Sequence, residues 1–290
     1  MNRAKEIVIL SGKGGTGKTT LTGSLSKLLK NKVICDADVD AADMFLLLNP
    51  YVKKTTPFKG KFVAVINRDK CVNCSICKQV CRFDAVYVED ENYEIDPYSC
   101  DGCTYCKLAC PADAITMEQQ VVGDWFVSDT DYGTMVHAKL KPGAENSGNL
   151  VTMVKVQAHN IAREHSIPYI LIDGPPGIGC PVTSALSGAT LAVVVTEPTF
   201  SGMHDLDRVY DLSRHFEVPV AIVINKYDLN LENSRRIEQL AEEKSIPILG
   251  KIPFERCVVE AISQNLTPVD FCDNLKPTFK EILDRIISLL

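Results

Sequence analysis

The sequence predicts an α/β protein with a doubly wound, mainly parallel sheet, interrupted by a smaller α+β insert. Short apolar runs alternate with stretches of helical spacing at both ends of the chain, and a cysteine-rich repeat separates these two regions. The apolar runs, such as residues 191–195, lack polar alternation. Strands of this kind are typical of parallel sheets covered by helices on both faces.

The individual elements follow from the spacing of apolar residues. The predicted strands are residues 6–10, 32–35, 121–127, 169–172, 191–195, 220–224 and 248–252. The predicted helices are residues 18–30, 151–165, 183–189, 203–216 and 234–244, and a Gly/Asn/Ser-rich loop is predicted at 141–149. A C-terminal helix has core spacing at Phe279, Ile282, Leu283, Ile286 and Leu290. Its acidic residues Glu281 and Asp284 favour packing against the sheet over binding to a membrane.

Composition excludes several classes of protein. The 290 residues include 31 Lys and Arg against 37 Asp and Glu, for a net charge of −6, which argues against a dedicated nucleic-acid binder. The apolar run at 7–10 is too short for a secretory signal. The uncharged stretch 174–196 is broken by prolines and glycines, so it does not predict a membrane span. We expect a cytoplasmic protein without stable membrane insertion and without a nucleic-acid partner.

Eight of the twelve cysteines lie in an internal repeat of 29 residues, between Cys71 and Cys110. In a long chain without an export signal, such clustering indicates metal binding and argues against a disulfide framework. The other four cysteines (Cys35, Cys180, Cys257 and Cys272) form no pair by sequence, so we expect buried free thiols.

The spacing of the repeat is that of two bacterial ferredoxin runs, C-x₂-C-x₂-C-x₃-C. In such two-cluster modules the fourth cysteine of each run binds the other cluster. One [4Fe–4S] cluster is therefore predicted on Cys71, Cys74, Cys77 and Cys110, and the other on Cys100, Cys103, Cys106 and Cys81. Paired zinc sites are the alternative, although they usually use two Cys-x-x-Cys pairs with a long spacer. The predicted insert covers residues 59–118, between nucleotide-binding parts at 1–58 and 119–290.

A glycine-rich loop follows the first predicted strand and opens the first predicted helix. The run Gly12-Lys13-Gly14-Gly15-Thr16-Gly17-Lys18-Thr19 fits G-x-x-x-x-G-K-[ST], and Thr20 continues it. The glycines let backbone N–H groups surround phosphate oxygens, and the helix N-terminus adds partial positive charge. Lys18 is predicted to contact the terminal phosphates, and Thr19 to bind Mg²⁺. The sequence thus predicts a nucleotide site.

The loop carries a second lysine, Lys13, and its form resembles the deviant phosphate loop of the MinD and nitrogenase-iron-protein superfamily. The resemblance implies a P-loop ATPase in which Lys13 reaches the nucleotide of a partner subunit, so that dimerisation depends on the nucleotide. It also implies that Lys13, Lys18 and Asp38 are catalytic, with Asp38 orienting the attacking water.

Two aspartate-containing segments match the same superfamily. Residues 34–38 (Ile-Cys-Asp-Ala-Asp) resemble its first switch, which implies that Asp36 lies close to Mg²⁺. Residues 170–177 (Ile-Leu-Ile-Asp-Gly-Pro-Pro-Gly) resemble its second switch, and a carboxylate at this strand end faces the phosphates in such sites. We expect Thr19, Asp36 and Asp173 to surround Mg²⁺.

Residues 225–228 (Asn-Lys-Tyr-Asp) leave the choice of base open. They match the N-K-x-D element of GTPases, in which the aspartate, here Asp228, reads guanine. The resembled superfamily reads adenine with an asparagine at this strand end, here Asn225. We expect ATP, with GTP as the alternative. A turn with local backbone hydrogen bonds is the interpretation without a nucleotide.

The whole chain resembles the branch of MinD-superfamily ATPases that contains an inserted ferredoxin domain. The resemblance implies a switch that closes as a homodimer, or as a heterodimer with a paralogue, on binding ATP and Mg²⁺. Two [4Fe–4S] clusters would then deliver electrons to a redox or metallocofactor partner protein. The alternatives are a carrier that hands its cluster over and a MinD-like spatial organiser. The sequence has no Cys-x-x-Cys pair outside the insert and no basic helix, which disfavours both.

Overall fold

The computed structural model describes residues 3–144 and 148–290, so part of the loop predicted at 141–149 lies outside the described residues. The strands are β1 (Lys5–Ser11), β2 (Lys32–Asp36), β3 (Tyr51–Ile66), β4 (Val86–Glu89), β5 (Asn92–Ile95), β6 (Ile115–Thr130), β7 (Gly133–Leu140), β8 (Tyr169–Pro176), β9 (Leu191–Thr196), β10 (Val220–Asn225) and β11 (Ile248–Ile252). Each predicted strand lies within an observed one.

The helices are α1 (Lys18–Leu28), α2 (Met44–Leu48), α3 (Ile76–Val80), α4 (Tyr105–Ala109), α5 (Asn149–Glu164), α6 (Cys180–Leu186), α7 (Phe200–His215), α8 (Leu231–Glu243), α9 (Arg256–Ser263), α10 (Pro268–Phe271) and α11 (Lys276–Ser288). The helix predicted at 183–189 begins earlier, at Cys180, because Pro181 occupies its first turn. Within the described part of the chain, no helix combines the length and apolar character that crossing a bilayer requires.

Nine of the described strands form one sheet, in the order β11-β10-β9-β1-β8-β2-β7-β6-β3. β1 is parallel to both neighbours, β8 and β9, and β8 is also parallel to β2. The predicted α/β fold with a mainly parallel sheet is confirmed. The register pairs Asp36 of β2 with Asp173 of β8, so both carboxylates lie at the carboxyl edge of the sheet.

The largest part of the core joins the sheet to α1 and the C-terminal helix. Side chains of β1, β9, β10 and α1 form one apolar cluster with Phe279, Ile282, Leu283 and Ile286 of α11, all of them buried. The predicted packing of the C-terminal helix against the sheet is therefore confirmed.

The chain divides into two compact units. The first contains Met1–Thr55, Trp125–Lys139 and Asn146–Leu290, and the second contains Thr56–Asp124 and Leu140–Glu145. The second unit includes the helices α3 and α4 and the antiparallel pair of β4 and β5.

The sequence repeat is also a repeat of backbone conformation. α3 and α4 begin and end at equivalent positions, 29 residues apart. Left-handed φ angles recur in three equivalent pairs, which are Asn73 with Gly102, Ser75 with Thr104, and Asp84 with Asp113. The two halves of the repeat therefore place their cysteines on equivalent turns.

The expectation of four buried free thiols is confirmed for Cys35 and is wrong for the other three cysteines. Cys257, in α9, and Cys272, directly after α10, form a disulfide, whereas Cys35 is a buried free thiol and Cys180 an exposed one. The pair was not predictable from local spacing, because its members are fifteen positions apart. The α9–α10 turn, with Thr267 and Asp270 in a capping box, brings them together.

Candidate functional site

The phosphate loop joins the end of β1 to the first turn of α1. Gly17 caps α1 with a φ of +90°, and a Cβ atom there would lie 2.3 Å from Nδ2 of Asn225, so only glycine fits. Gly14 and Gly15 border open space, since no heavy atom of the described residues lies within 4 Å of where their Cβ atoms would stand. Free space beside a helix N-terminus is what a bound phosphate chain requires.

Lys18 lies at the start of α1 within a buried group of carboxylates. Its Nζ atom is 3.0 Å from Oδ2 of Asp38 and 3.4 Å from Oδ1 of Asp173. Burial lowers the pKa of Lys18, but the negative charges of Asp173 and Asp38 outweigh it and raise the pKa above its ordinary value. Lys18 therefore keeps its positive charge in this buried position, as a phosphate-binding lysine must.

The residues expected around Mg²⁺ lie together beside Lys18. Asp173 accepts hydrogen bonds from the hydroxyls of Thr19, at 2.7 Å, and Thr22, at 2.8 Å. Within the described residues, Oδ2 of Asp36 is buried without a hydrogen-bond partner. Burial, and then the charge of Asp173, raise the pKa of Asp36 well above its ordinary value. A buried oxygen that lacks a donor, next to a second carboxylate and a hydroxyl, fits a hard divalent cation.

Thr22 was not among the predicted site residues, although its hydroxyl donates to the second carboxylate oxygen of Asp173. The available signal is its position three residues after Thr19 on α1, which places both hydroxyls on one face of the helix. Its side chain also donates to the carbonyl oxygen of Lys18, at 2.9 Å.

Lys13 lies against residues of its own chain. Its Nζ atom is 3.6 Å from Oε2 of Glu197, 3.5 Å from Oγ1 of Thr199 and 3.3 Å from Oγ of Ser201. Glu197 also accepts from Lys226, at 2.6 Å. Glu197, Thr199 and Ser201 were not among the predicted site residues.

The candidate base-reading residues take part in contacts within the chain. Asn225 donates to the carbonyl oxygen of Thr16 in the phosphate loop, at 2.7 Å. Asp228 lies in the 3₁₀ turn after β10, and its Oδ1 atom accepts from the backbone N–H of Phe254, at 2.7 Å. Asn225 thus lies at the loop, while Asp228 fixes the segment after β11. These contacts favour neither ATP nor GTP.

The eight clustered cysteines are divided between two cavities of the second unit. One cavity is lined by Cys71, Cys74, Cys77 and Cys110, and the other by Cys81, Cys100, Cys103 and Cys106. The fourth cysteine of each run thus lines the cavity of the other run. Around the cavities lies an apolar cluster that includes Val63, Ala64, Val86 and Ile115.

Each cavity is lined by four thiols. Among the described residues, no group of three or more His, Cys, Asp or Glu side chains is arranged to hold one metal ion. A [4Fe–4S] cluster instead distributes four thiolates over its irons. Each set of four extends from the surface into the apolar interior. The first set includes the exposed Cys74 and the buried Cys77, and the second includes the exposed Cys103 and the buried Cys100.

Comparison with known proteins agrees with this architecture. Residues 7–269 match the family model described as the CobQ/CobB/MinD/ParA nucleotide binding domain. An uncharacterized protein of Methanocaldococcus jannaschii is 33% identical over 287 residues, which are 97% of this chain and 96% of that protein. The chain belongs to the CobQ/CobB/MinD/ParA nucleotide-binding family.

More distant matches are consistent with this family. The protein named iron-sulfur cluster carrier protein of Pyrococcus abyssi is 24% identical over 307 residues, covering 98% of this chain and 86% of that protein. The structure of the septum site-determining protein MinD of Pyrococcus horikoshii with Mg-ADP has a TM-score of 0.59 at 18% identity, covering 98% of this chain and 96% of that one. This structural likeness concerns the fold.

Proposed function

We propose that this chain is an ATP-dependent dimeric switch that carries two [4Fe–4S] clusters and delivers electrons to a partner protein. The observation that carries the proposal is the division of eight cysteines into two sets of four, in a chain that also contains a phosphate-loop motif with a buried lysine. We assign ATP and Mg²⁺ as the ligands, in accordance with the structural neighbour from Pyrococcus horikoshii that was solved with Mg-ADP.

The nucleotide part of the mechanism depends on Lys18. Without nucleotide, its charge is balanced by Asp38 and Asp173. The phosphates of ATP would compete with Asp38 for the same ammonium group, because a charge-assisted hydrogen bond can be formed with either. Once released, Asp38 would be free to orient a water molecule for attack on the terminal phosphate. Thr19, Asp36 and Asp173 would hold Mg²⁺ next to the phosphates.

Dimerisation is assigned to Lys13, in accordance with the family resemblance. A lysine that reaches a nucleotide across an interface must first leave its contacts with Thr199, Ser201 and Glu197. These contacts are partly exposed, and pairs of this kind contribute about 1 kcal/mol or less, so their exchange costs little. The dimer would be formed by two copies of this chain or by this chain and a paralogue.

The cysteine-rich unit would serve electron transfer. A [4Fe–4S] cluster, when bound, accepts and releases single electrons. The sets led by Cys71 and by Cys100 would hold one cluster each, and the apolar lining limits access of water to the sulfur atoms. The exposed Cys74 and Cys103 would bring each site close to a docked partner.

The first experiment combines cluster analysis with ATP hydrolysis on anaerobically purified protein. We expect about eight iron and eight sulfide per chain, together with Mg²⁺-dependent ATPase activity that disappears in Lys18→Ala. Stoichiometric zinc without iron would contradict the cluster assignment. A chain that binds iron but hydrolyses no nucleotide would contradict the switch.

A cluster carrier is the second candidate, because a relative from Pyrococcus abyssi bears that name. The two functions differ in the fate of the iron. An electron-transfer protein keeps its iron after incubation with an apo acceptor ferredoxin and ATP, whereas a carrier loses one cluster to the acceptor. We expect the iron content of this chain to stay unchanged in that assay.

A further inference from the structure

A cavity of about 730 Å³ lies at the amino edge of the sheet, within the first unit. It is lined by the start of β1, the last two turns of α5 and the turn that leads into β8. The first residue of β1, Lys5, is paired in register with the first residue of β8, Tyr169. Both strands run from the cavity to the nucleotide site. β1 has seven residues, so the two sites are about 20 Å apart.

The ionisable side chains known to line this cavity are mostly basic. The lining includes four basic residues, Arg3, Lys5, His159 and Arg163, together with the uncharged Asn160, Ser166 and Tyr169. None of the described lining residues is Asp or Glu. Arg163 donates to Oδ1 of Asn160 at 3.2 Å, so both polar side chains are held on the cavity side of α5.

One carboxylate contacts a lining residue of the cavity, and its charge is balanced by a buried lysine. Glu6 is buried next to the cavity, where it pairs with Nε2 of His159 at 2.5 Å and with Nζ of Lys155 at 2.6 Å. Lys155 is buried as well, and it donates to the carbonyl oxygens of Ser184 and Ala185 at the end of α6. Glu6 therefore does not offset the charges of Arg3, Lys5 and Arg163.

We propose that this cavity binds a small organic anion with two or three carboxylate or phosphate groups. Arg163, Lys5 and Arg3 would bind the anionic groups, since guanidinium forms paired hydrogen bonds with carboxylate and phosphate oxygens. Asn160 and Ser166 would donate further hydrogen bonds, and Ala162, Ile167 and Pro168 would contact the carbon skeleton. The volume lies within the range of small-molecule sites, about 300–1,000 Å³.

The test uses two probes and the full chain with its clusters. Saturating Mg·ADP first fills the phosphate loop, so that binding there cannot contribute. Calorimetric titration then measures the affinity for tricarballylate, a tricarboxylate, and for fructose 1,6-bisphosphate, a phosphate ester with two phosphate groups. We expect at least one probe to bind with a Kd below about 5 mM, and the probe that binds more tightly identifies the class of anionic group.

Arg163→Gln should weaken binding about tenfold, and Lys5→Gln several-fold. Arg235→Gln on α8 removes an exposed arginine far from the cavity lining and is the matched control, for which we expect an unchanged Kd. All three positions are exposed, so the variants should keep the melting temperature of the parent. The proposal is wrong if neither probe binds in the presence of saturating Mg·ADP, or if Arg235→Gln weakens binding as much as Arg163→Gln does.

Discussion

The ammonium group of Lys18 lies 3.0 Å from Oδ2 of Asp38, and both side chains are buried. The pair joins the phosphate loop to the segment after β2. Burial is the leading cause that raises the pKa of Asp38, and Lys18 opposes it. A ligand that binds Lys18 takes from Asp38 the positive charge that offsets the effect of burial on its pKa. The surroundings of Asp38 therefore change as soon as the ligand binds. The pair is therefore the point at which nucleotide binding would first affect the chain.

Lys18→Ala should abolish nucleotide binding, because it removes the charge that would bind the terminal phosphates. Asp38→Ala should still bind Mg·ATP but hydrolyse it at least about 100-fold more slowly. Equilibrium binding of a fluorescent ATP analogue and phosphate release measure the two effects. Lys30→Ala, an exposed position just after α1, is the control and should match the parent. Full ATPase activity in Asp38→Ala would contradict the assigned role.

Lys13→Ala should separate nucleotide binding from association. We expect ATP affinity within about fivefold of the parent, since the Lys13 contacts are worth about 1 kcal/mol or less, together with loss of the ATP-dependent dimer. Sedimentation velocity with and without Mg·ATP measures the dimer fraction. A variant that still dimerises as the parent does would show that Lys13 acts only within its own chain.

Cys110→Ser should damage the cluster of the first cavity and leave the second intact, because Cys110 lines the cavity of Cys71, Cys74 and Cys77. Iron should fall from about eight to about four per chain. Cys81→Ser should give the same loss from the other cluster. Cys180→Ser is the matched control, since Cys180 is exposed and lines neither cavity. Equal iron in all three variants would contradict the assignment of Cys81 and Cys110 as cluster ligands.

The Cys257–Cys272 disulfide should stabilise the region around α9 and α10. It closes a loop of fifteen residues, and in the chain-entropy account such a loop contributes about 3 kcal/mol. Cys257→Ser should lower the free energy of unfolding by an amount of this order. Alkylation before and after reduction, read by mass spectrometry, tests the bond itself. Alkylation of both thiols without any reductant would exclude the disulfide.

His137 should make stability depend on pH. It is buried, 2.8 Å from Oγ of Ser128, and burial lowers its pKa from 6.5 to about 4. Between about pH 4 and pH 6.5 the unfolded chain binds a proton at His137 that the folded chain does not. The contribution of neutral His137 to the free energy of unfolding is therefore complete above pH 6.5 and is lost as the pH falls below it. We expect a loss of about 2 kcal/mol between about pH 7.5 and pH 5.

Denaturant unfolding of the parent and of His137→Phe measures this contribution at both pH values. Phenylalanine keeps the ring stacking on Phe126, whose centroid lies 5.0 Å from that of His137. The variant should lose less stability on acidification than the parent does. An equal loss in both proteins would assign the effect to other groups.

Apolar periodicity was sufficient to predict the parallel part of the sheet. β9 and β10 are continuous apolar runs that are buried on both faces, so pattern and structure agree. β7 was not predicted, because His137 and Lys139 interrupt its apolar residues, although it lies between β2 and β6. The short α2 was not predicted either, since its five residues are too few to show a helical period.

The site was predictable where a motif fixes the spacing along the chain. Lys18 and Thr19 follow from the loop pattern, and the cysteines follow from their runs. Contacts between distant segments were beyond the reach of the sequence: Lys13 meets Glu197, Asp228 meets the backbone of Phe254, and Cys257 meets Cys272. Each of these contacts is created by the fold, and no local pattern specifies it.

The central claim is that nucleotide state and cluster oxidation state are linked. By reciprocity, if ATP binds one redox state more tightly, it shifts the cluster potential by the corresponding amount. Redox titration followed by electron paramagnetic resonance, on Asp38→Ala protein with and without Mg·ATP, measures this directly. We predict a shift of at least about 59 mV in one cluster, which corresponds to a tenfold difference in ATP affinity. Potentials that stay the same with nucleotide, together with an ATP affinity that does not respond to reduction, would contradict the claim.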